Sequence, residues 1–223
     1  MLENNRFYLS LIRHGESVFN TTPDRIGQEA DTPLTAKGNM QANLLRKRFE
    51  EHNIKFDYVF TSDYLRAYDT CKTSLDGVDH GPIAICQELR EYSAGDWNGL
   101  DRHDIHTPEV LLKMSMLNSA FCPPNGESMH MVERRASKWL EDAILYNKDI
   151  IKEAQRREVS KMKPMEIAVF SHGMTIKCLL HYIMGFDQSF IWRLTLENTS
   201  ITKLYFDDKG WRLLTVNDFA HLL

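Results

Sequence analysis

Two histidines in this sequence each follow a short apolar run and precede a glycine. Residues 7–12 lead directly into Arg13-His14-Gly15, and residues 165–170 lead into Ser171-His172-Gly173. Both runs have the composition of buried strands, and open α/β sheets keep their sites at the carboxyl ends of parallel strands. The pattern therefore predicts that His14 and His172 lie near each other at one edge of a sheet.

A histidine beside arginines suits phosphoryl transfer. The imidazole is nucleophilic only when neutral, and a reference pKa of about 6.5 allows that near neutral pH. The neighbouring Arg13 favours the neutral form of His14, because a nearby cation disfavours the imidazolium. Phosphoryl transfer also needs positive charge around the phosphate oxygens, which the forked guanidinium group supplies.

Each of these residues also has a purely structural explanation. His14 could cap a strand, and His172 could be a core histidine with satisfied hydrogen bonds. Arg66 could pair with Asp69 one helical step away. The joint occurrence of two histidines at the ends of parallel strands favours the functional interpretation.

Seven motifs extend this pattern along most of the chain. The first is LIRHGES at residues 11–17, with Asn20 three residues further on. The others, in order, are DTPLTAKG at 31–38, TSDYLRA at 61–67, ELRE at 88–91 with GDWNG at 95–99, PNGES at 124–128, SHG at 171–173 and NTSI at 198–201. Together they resemble the histidine phosphatase superfamily, also called phosphoglycerate mutase-like.

The resemblance implies the two reacting groups. His14 would be the nucleophile that forms a transient phosphohistidine, and Glu91 would be the general acid and base. Glu88 lies close by and remains the alternative acid, although the L-x-E register of the motif favours Glu91.

The resemblance also implies a phosphate pocket without a metal or cofactor. The residues that would hold the phosphate or other parts of the substrate are Arg13, Ser17, Asn20, Arg66, His172 and Gly173. A cation about 4 Å from a phosphate charge contributes roughly 4 kcal/mol at an effective dielectric constant of about 20, so two arginines form an effective clamp. His103 and His106 are spaced to share a metal, but two ligands do not complete a site.

Three reactions are compatible with these motifs. Glu91 is followed by Tyr92-Ser93-Ala94-Gly95, which departs from the R-H-Y-G of the mutase branch, and residues 25–31 lack that branch's F-x-G-W-x-D. Both departures favour a histidine acid phosphatase-like phosphoric monoester hydrolase. A phosphoglycerate mutase-type phosphotransferase and a catalytically weak phospho-ligand binding module are the alternatives.

The order of predicted elements indicates an α/β fold. Strands at 7–12, 58–60, 82–86 and 165–170 alternate with helices, which predicts a three-layer sandwich with a mostly parallel central sheet and helices on both faces. Ser62 is expected to cap the helix at 64–75, and residues 128–160 are expected to form one long helical stretch. We predict a single domain over residues 1–223 with a small cap insertion at about 100–125.

The cap composition bears on the leaving group. Its apolar residues are Leu111, Leu112, Met114, Met116, Leu117 and Phe121, with few cations beyond Arg102 and Lys113. This composition indicates a moderately apolar leaving group, unless these side chains simply pack on the sheet.

Charge and composition exclude several partners. The formal net charge of the 223 residues is −4, which gives no electrostatic footprint for nucleic acid or an anionic membrane surface. No secretory signal pattern opens the sequence, and no run approaches the roughly 18 apolar residues of a membrane span. We therefore expect a cytoplasmic protein that acts on a phosphorylated small molecule; the sequence does not indicate its oligomeric state.

Overall fold

Six strands form one sheet in the computed structural model, which describes residues 6–27 and 32–223. The strands are β1 (Phe7–Arg13), β2 (Tyr58–Thr61), β3 (Ile83–Ile85), β4 (Met165–Ser171), β5 (Ile201–Asp207) and β6 (Gly210–Asp218). Their order is β3-β2-β4-β1-β5-β6, and β1 to β4 run parallel, whereas β5 and β6 are antiparallel strands at one edge. The predicted α/β fold with a mostly parallel sheet is therefore confirmed.

Alternating side chains of the central strands build a core on each face of the sheet. In β1, Leu9 and Leu11 join one cluster of buried residues, whereas Ile12 joins the other. In β4, Val169 and Phe170 divide between the same two clusters. Because successive strand residues point to opposite faces, both faces need a covering layer, and the three predicted layers result.

Helices supply the two covering layers. On one face lie α1 (Ala36–Glu51) and α2 (Leu65–Leu75), and on the other lie α5 (Met129–Leu140), α6 (Lys148–Val159) and α7 (Gly173–Met184). The shorter helices α3 (Arg102–Ile105), α4 (Pro108–Leu117) and α8 (Phe190–Arg193) lie in the connections. Within the described residues, no helix has both the length and the apolar character required to cross a bilayer.

The long helix predicted at 128–160 is in fact two helices, α5 and α6. A π-helical turn at Glu141–Leu145 follows α5, and Asn147 then caps α6. The side-chain oxygen of Asn147 accepts hydrogen bonds from the backbone N–H groups of Asp149 at 3.0 Å and Ile150 at 3.2 Å. Such a cap begins a new helix instead of continuing the old one.

The first two motif loops pack directly on each other. A Cβ at Gly38 would lie 2.0 Å from the carbonyl oxygen of Glu16, and one at Gly15 would lie 2.7 Å from the carbonyl oxygen of Gly38. Both positions therefore require glycine, because any side chain would push the loops apart. Asp31, the first residue of the second motif, lies outside the described residues, as do residues 28–30 of the adjoining stretch.

Candidate active site

His14 follows the last residue of β1, and its side chain is fully buried. Its Nδ1 lies 2.7 Å from the carbonyl oxygen of Gly15, which can only accept, so Nδ1 carries the proton. Nε2 then has the free lone pair, and the Nε–H of Arg66 donates to it at 3.3 Å. The tautomer that leaves Nε2 nucleophilic is thus set by two neighbours.

The environment keeps the imidazole of His14 neutral. Burial lowers the pKa of His14 well below its usual value, and the cations Arg66 and Arg13 lower it further. The sequence suggested only the effect of a neighbouring arginine, whereas burial by the surrounding fold is the larger cause. A neutral imidazole is the form that can act as a nucleophile.

Hydrogen bonds from several elements hold the backbone at the carboxyl end of β1 in place. The N–H of His14 donates to the Ser171 carbonyl at 3.0 Å, and the side-chain amide of Asn198 donates to the His14 carbonyl at 2.9 Å. The N–H of Gly15 donates to the hydroxyl of Thr70 on α2 at 2.9 Å. The fixed position of His14 therefore depends on β4, α2 and the loop before β5.

His172 lies beyond the end of β4, and its ring centroid is 5.1 Å from that of His14. Its Nε2 forms a 2.9 Å hydrogen bond with the hydroxyl of Ser62, while its buried Nδ1 finds no partner among the described residues. Burial lowers the pKa of His172 well below its usual value, with Arg66 as the next cause. The expected N-cap at Ser62 is wrong, because Tyr64 occupies the N-cap position of α2 and makes no side-chain cap. The Ser62 hydroxyl accepts from the N–H of Tyr64 at 3.2 Å and also orients His172.

Two arginines line the same buried space. One guanidinium nitrogen of Arg13 donates to the Leu196 carbonyl, and its buried Nε has no partner among the described residues. Burial lowers the pKa of Arg13 and lowers that of Arg66 to about 10. The Arg66 guanidinium stays charged near neutral pH, because a pKa of about 10 lies well above 7.

The buried Glu91 carboxylate lies at the N-terminus of α7. Its Oε1 accepts from the N–H of Thr175 at 3.3 Å, and its Oε2 accepts from the N–H of Met174 at 3.2 Å. These two N–H groups fix the position of the Glu91 side chain at the start of the helix. Glu88, the alternative acid, is exposed.

Gly173 separates the acid from one of the arginines. A Cβ at Gly173 would lie 3.6 Å from Nε of Arg13 and 3.9 Å from Oε2 of Glu91. The missing side chain therefore leaves open space between a cation and a carboxylate.

Ser17 and Asn20 form a local pair beside this cluster. The backbone N–H and the hydroxyl of Ser17 both donate to Oδ1 of Asn20, at 3.0 and 3.1 Å. Asn20 lines the large cavity described below, whereas Ser17 is fully buried behind it. Ser17 is thus placed to orient Asn20, and only Asn20 reaches the cavity.

A cavity of about 620 Å³ opens next to Glu91 and Asn20. Its walls are largely aromatic and sulfur-containing, and include Trp97, Met114, Phe121, Met129, Met174 and Trp192. Of the apolar residues expected from the segment at 100–125, only Met114 and Phe121 line this cavity, and Leu112 and Met116 are exposed. Arg25, which the sequence did not single out, lines it too.

A smaller, polar cavity of about 380 Å³ touches the other side of Glu91. Tyr64 and Arg90 border it, and the Tyr64 ring lies 5.4 Å from the His172 ring and 5.1 Å from the Arg66 guanidinium. No sequence signal marked Tyr64, because its ring reaches these groups only when α2 is packed on the sheet.

The histidine pair at 103 and 106 does not form a metal site. His103 lies 3.7 Å from the Asp24 carboxylate, and the His106 ring lies 6.5 Å from the Trp97 ring. In the described part of the chain, no three His, Cys, Asp or Glu residues are grouped so that they could hold a metal ion.

An α/β sheet that buries a neutral histidine among cations at its carboxyl edge defines a phosphoryl-transfer enzyme. The chain belongs to the histidine phosphatase superfamily (branch 1), whose family model matches residues 9–219.

Similar proteins carry both phosphatase and mutase names. The chain is 29% identical over 219 residues to "Probable phosphoglycerate mutase GpmB" of Yersinia enterocolitica, which covers 95% of this chain and 93% of the relative. The fold matches phosphoserine phosphatase from Entamoeba histolytica, solved with phosphoserine, with a TM-score of 0.74 and 22% identity over 97% of this chain and 100% of that one. It equally matches a mycobacterial glucosyl-3-phosphoglycerate phosphatase, with a TM-score of 0.74 and 22% identity over 95% of this chain and 98% of that one.

Proposed function

We propose that the protein is a metal-independent phosphomonoester hydrolase that works through a phosphohistidine on His14. The observation that carries this proposal is the neutral, buried imidazole whose Nε2 lone pair meets the guanidinium of Arg66. A nucleophile and a phosphate-binding cation share one contact, so a phosphate bound by Arg66 lies in reach of the attacking atom.

In the first half-reaction, Nε2 of His14 attacks phosphorus while the ester P–O bond breaks. Arg13, Arg66 and His172 bind the non-bridging oxygens, whose charge they stabilise in the transition state. Protonated Glu91 gives its proton to the leaving oxygen, which departs as an alcohol. The Nε of Arg66 releases His14 and binds a phosphate oxygen instead.

In the second half-reaction, water attacks the phosphohistidine and the P–N bond breaks. The Glu91 carboxylate accepts a proton from that water, so one group serves both steps. Orthophosphate leaves, and His14 returns to its neutral tautomer. Asn20, oriented by Ser17, and the open space at Gly173 complete the substrate contacts.

We further propose that residues 1–223 form one domain and that residues 100–125 act as a cap over the larger cavity. The cap would supply Met114 and Phe121 to the leaving group.

Mutase-type transfer is the second candidate, and the name of the Yersinia relative favours it. A mutase would return the phosphoryl group from His14 to a phosphorylated acceptor, whereas a hydrolase would pass it to water. The residues after Glu91 favour water as the acceptor, because the additional cations of the mutase branch do not follow it in this sequence.

Acid-labile labelling tests the proposal. We expect radiolabelled p-nitrophenyl phosphate to label the wild-type protein transiently, with label and turnover both retained in EDTA. His14→Ala should lose labelling and turnover, whereas His52→Ala, which changes an exposed histidine, should keep both. Labelling of His14→Ala would assign the nucleophile elsewhere, and discharge to 3-phosphoglycerate faster than to water would favour the mutase.

A further inference from the structure

Two guanidinium groups line the large cavity without a carboxylate partner in the described part of the chain. Arg25 donates to the Gly99 carbonyl at 2.7 Å, and neither Arg25 nor Arg102 forms an ion pair with any described residue. The other charged group on the cavity wall, Glu91, is already held by the N-terminus of α7. Among the described residues, the cavity therefore has two exposed cations without an ion pair, in addition to those around His14.

Backbone pairing brings together the chain segments that carry the two arginines. Arg25 pairs with Asp101 in a short antiparallel bridge, so Arg102 follows directly on the opposite segment. The N–H of Ile26 donates to the Leu100 carbonyl at 3.0 Å, and the N–H of Arg102 donates to the Asp24 carbonyl at 2.6 Å. Both side chains are exposed and line the same cavity, so an anion bound there can contact both guanidinium groups.

The remaining walls of the cavity suit an apolar body of ring size. Trp97 and Phe121 lie with ring centroids 5.5 Å apart, and Met114 and Met174 line the same space. Trp192 contributes a further ring, which a hydrogen bond of 3.1 Å from its Nε1 to Oδ1 of Asn118 holds in position. Aromatic and thioether groups bind rings and other apolar surfaces well.

We propose that the substrate is a phosphomonoester whose leaving group combines an aromatic or apolar body with a carboxylate, and that Arg25 and Arg102 bind this carboxylate. The inference rests on the proposed phosphatase function. The inferred carboxylate site could not be derived from the composition of the cap alone, because Arg25 lies outside residues 100–125. Lys113, the other cap cation, pairs with Glu109 at 2.9 Å and does not line the cavity.

A matched pair of aryl phosphates tests this inference. In 3-(4-phosphonooxyphenyl)propanoate and its propanamide, the group that differs is separated from the ring by two methylenes, so the phenol leaving groups are nearly equal. For the wild-type protein we expect kcat/KM to be on the order of tenfold higher for the acid than for the amide, as one charge-assisted hydrogen-bonded contact would give. Arg25→Gln with Arg102→Gln should reduce this ratio to about one.

The control variant is Lys113→Gln, which removes a cap cation outside the cavity wall and should keep the wild-type ratio. Equal kcat/KM for the two esters, or a preference for the acid that persists in the double variant, would overturn the inference while leaving the phosphatase intact. If neither ester is hydrolysed, the proposed function fails. Calorimetric binding of both esters to the wild-type and double-variant proteins then still decides whether Arg25 and Arg102 select the carboxylate.

Discussion

Nε of Arg66 lies 3.3 Å from Nε2 of His14, the ring nitrogen that carries the free lone pair. In the proposed mechanism, the guanidinium occupies the position from which a phosphate oxygen is bound before the attack. Because Arg66 is buried and fixed on α2, it offers its fork to the phosphate with little loss of conformational freedom.

We predict that Arg66→Lys lowers kcat/KM by roughly ten- to a hundredfold, because a lysine keeps the charge but loses the forked contact worth about 1.5–3 kcal/mol. Steady-state kinetics with p-nitrophenyl phosphate measures the loss. Arg156→Lys is the matched control, since Arg156 is exposed and forms an ion pair with Glu153 on its own helix. Wild-type activity in Arg66→Lys would contradict the clamp.

We predict that Glu91→Gln binds vanadate nearly normally but loses most of its turnover on alkyl phosphates. An alkoxide leaving group needs a proton, which glutamine cannot give, whereas p-nitrophenolate is stable as an anion. Pre-steady-state phosphorylation of His14 should therefore fall much less with p-nitrophenyl phosphate than with an alkyl phosphate.

The control for this experiment is Glu88→Gln, which changes the exposed carboxylate three residues away. It should phosphorylate normally with both substrates. Equal losses with both substrates in Glu91→Gln, together with an alkyl-specific loss in Glu88→Gln, would move the acid to Glu88.

Local patterns in the sequence were sufficient for the fold and for the two histidines. The apolar runs of β1 and β4 end at His14 and His172, and parallel pairing of these strands brings the two rings within 5.1 Å. The motif order predicted the family correctly. These features depend on the pattern of apolar residues within each strand and on residues that are adjacent in sequence. A single sequence carries both kinds of information.

Features that depend on contacts between distant segments were missed. Ser62 has the sequence context of a helix cap, yet packing of α2 directs its hydroxyl to His172. Arg25 reaches the large cavity because residues 24–26 pair with residues 99–102, which no local pattern indicates. Asn147 is a residue type that favours helix caps, so the sequence did contain a signal for the break between α5 and α6. The mixed charges of residues 148–158 nevertheless favoured one continuous helix.

We predict that the free energy of unfolding falls as the pH drops from 7.5 to 5.5. The pKa values of His14 and His172 are lowered well below the reference value, and that of His221 is lowered to about 4, mainly by burial. Below pH 6.5 the unfolded chain binds protons that the folded protein does not. Each such histidine therefore costs about 1.4 kcal/mol of stability at pH 5.5, and at pH 7.5 this cost is below about 0.1 kcal/mol.

Urea unfolding at the two pH values measures this slope. His221→Gln should reduce the difference between pH 7.5 and pH 5.5 by about 1.4 kcal/mol, because one buried titrating group is removed. His52→Gln, which changes an exposed histidine, should leave the difference unchanged. An unchanged difference in His221→Gln would show that His221 is protonated in the folded protein.

His221 is also linked to the backbone of the nucleophile through Thr199. The Thr199 hydroxyl donates to the Asn198 carbonyl at 2.7 Å, so it accepts the 2.9 Å hydrogen bond from Nε2 of His221. Thr199 is buried with a left-handed φ of 60°, and its N–H donates to the Arg13 carbonyl at 3.0 Å. A contact from the C-terminal end of the chain thus holds the residue that supports Arg13.

We predict that His221→Leu lowers kcat about tenfold with little change in KM, because a small displacement of the β1 terminus misaligns Nε2 of His14 without removing a phosphate contact. His221→Gln, which can still donate to the Thr199 hydroxyl, should recover most of the rate. Steady-state turnover over a range of substrate concentrations separates kcat from KM, and stopped-flow measurement isolates the phosphorylation step. Thermal unfolding checks that both variants fold. His80→Leu, at an exposed position, is the control and should behave as wild type. If His221→Leu and His221→Gln lose the same rate, or if only KM changes, then His221 does not position the nucleophile through Thr199.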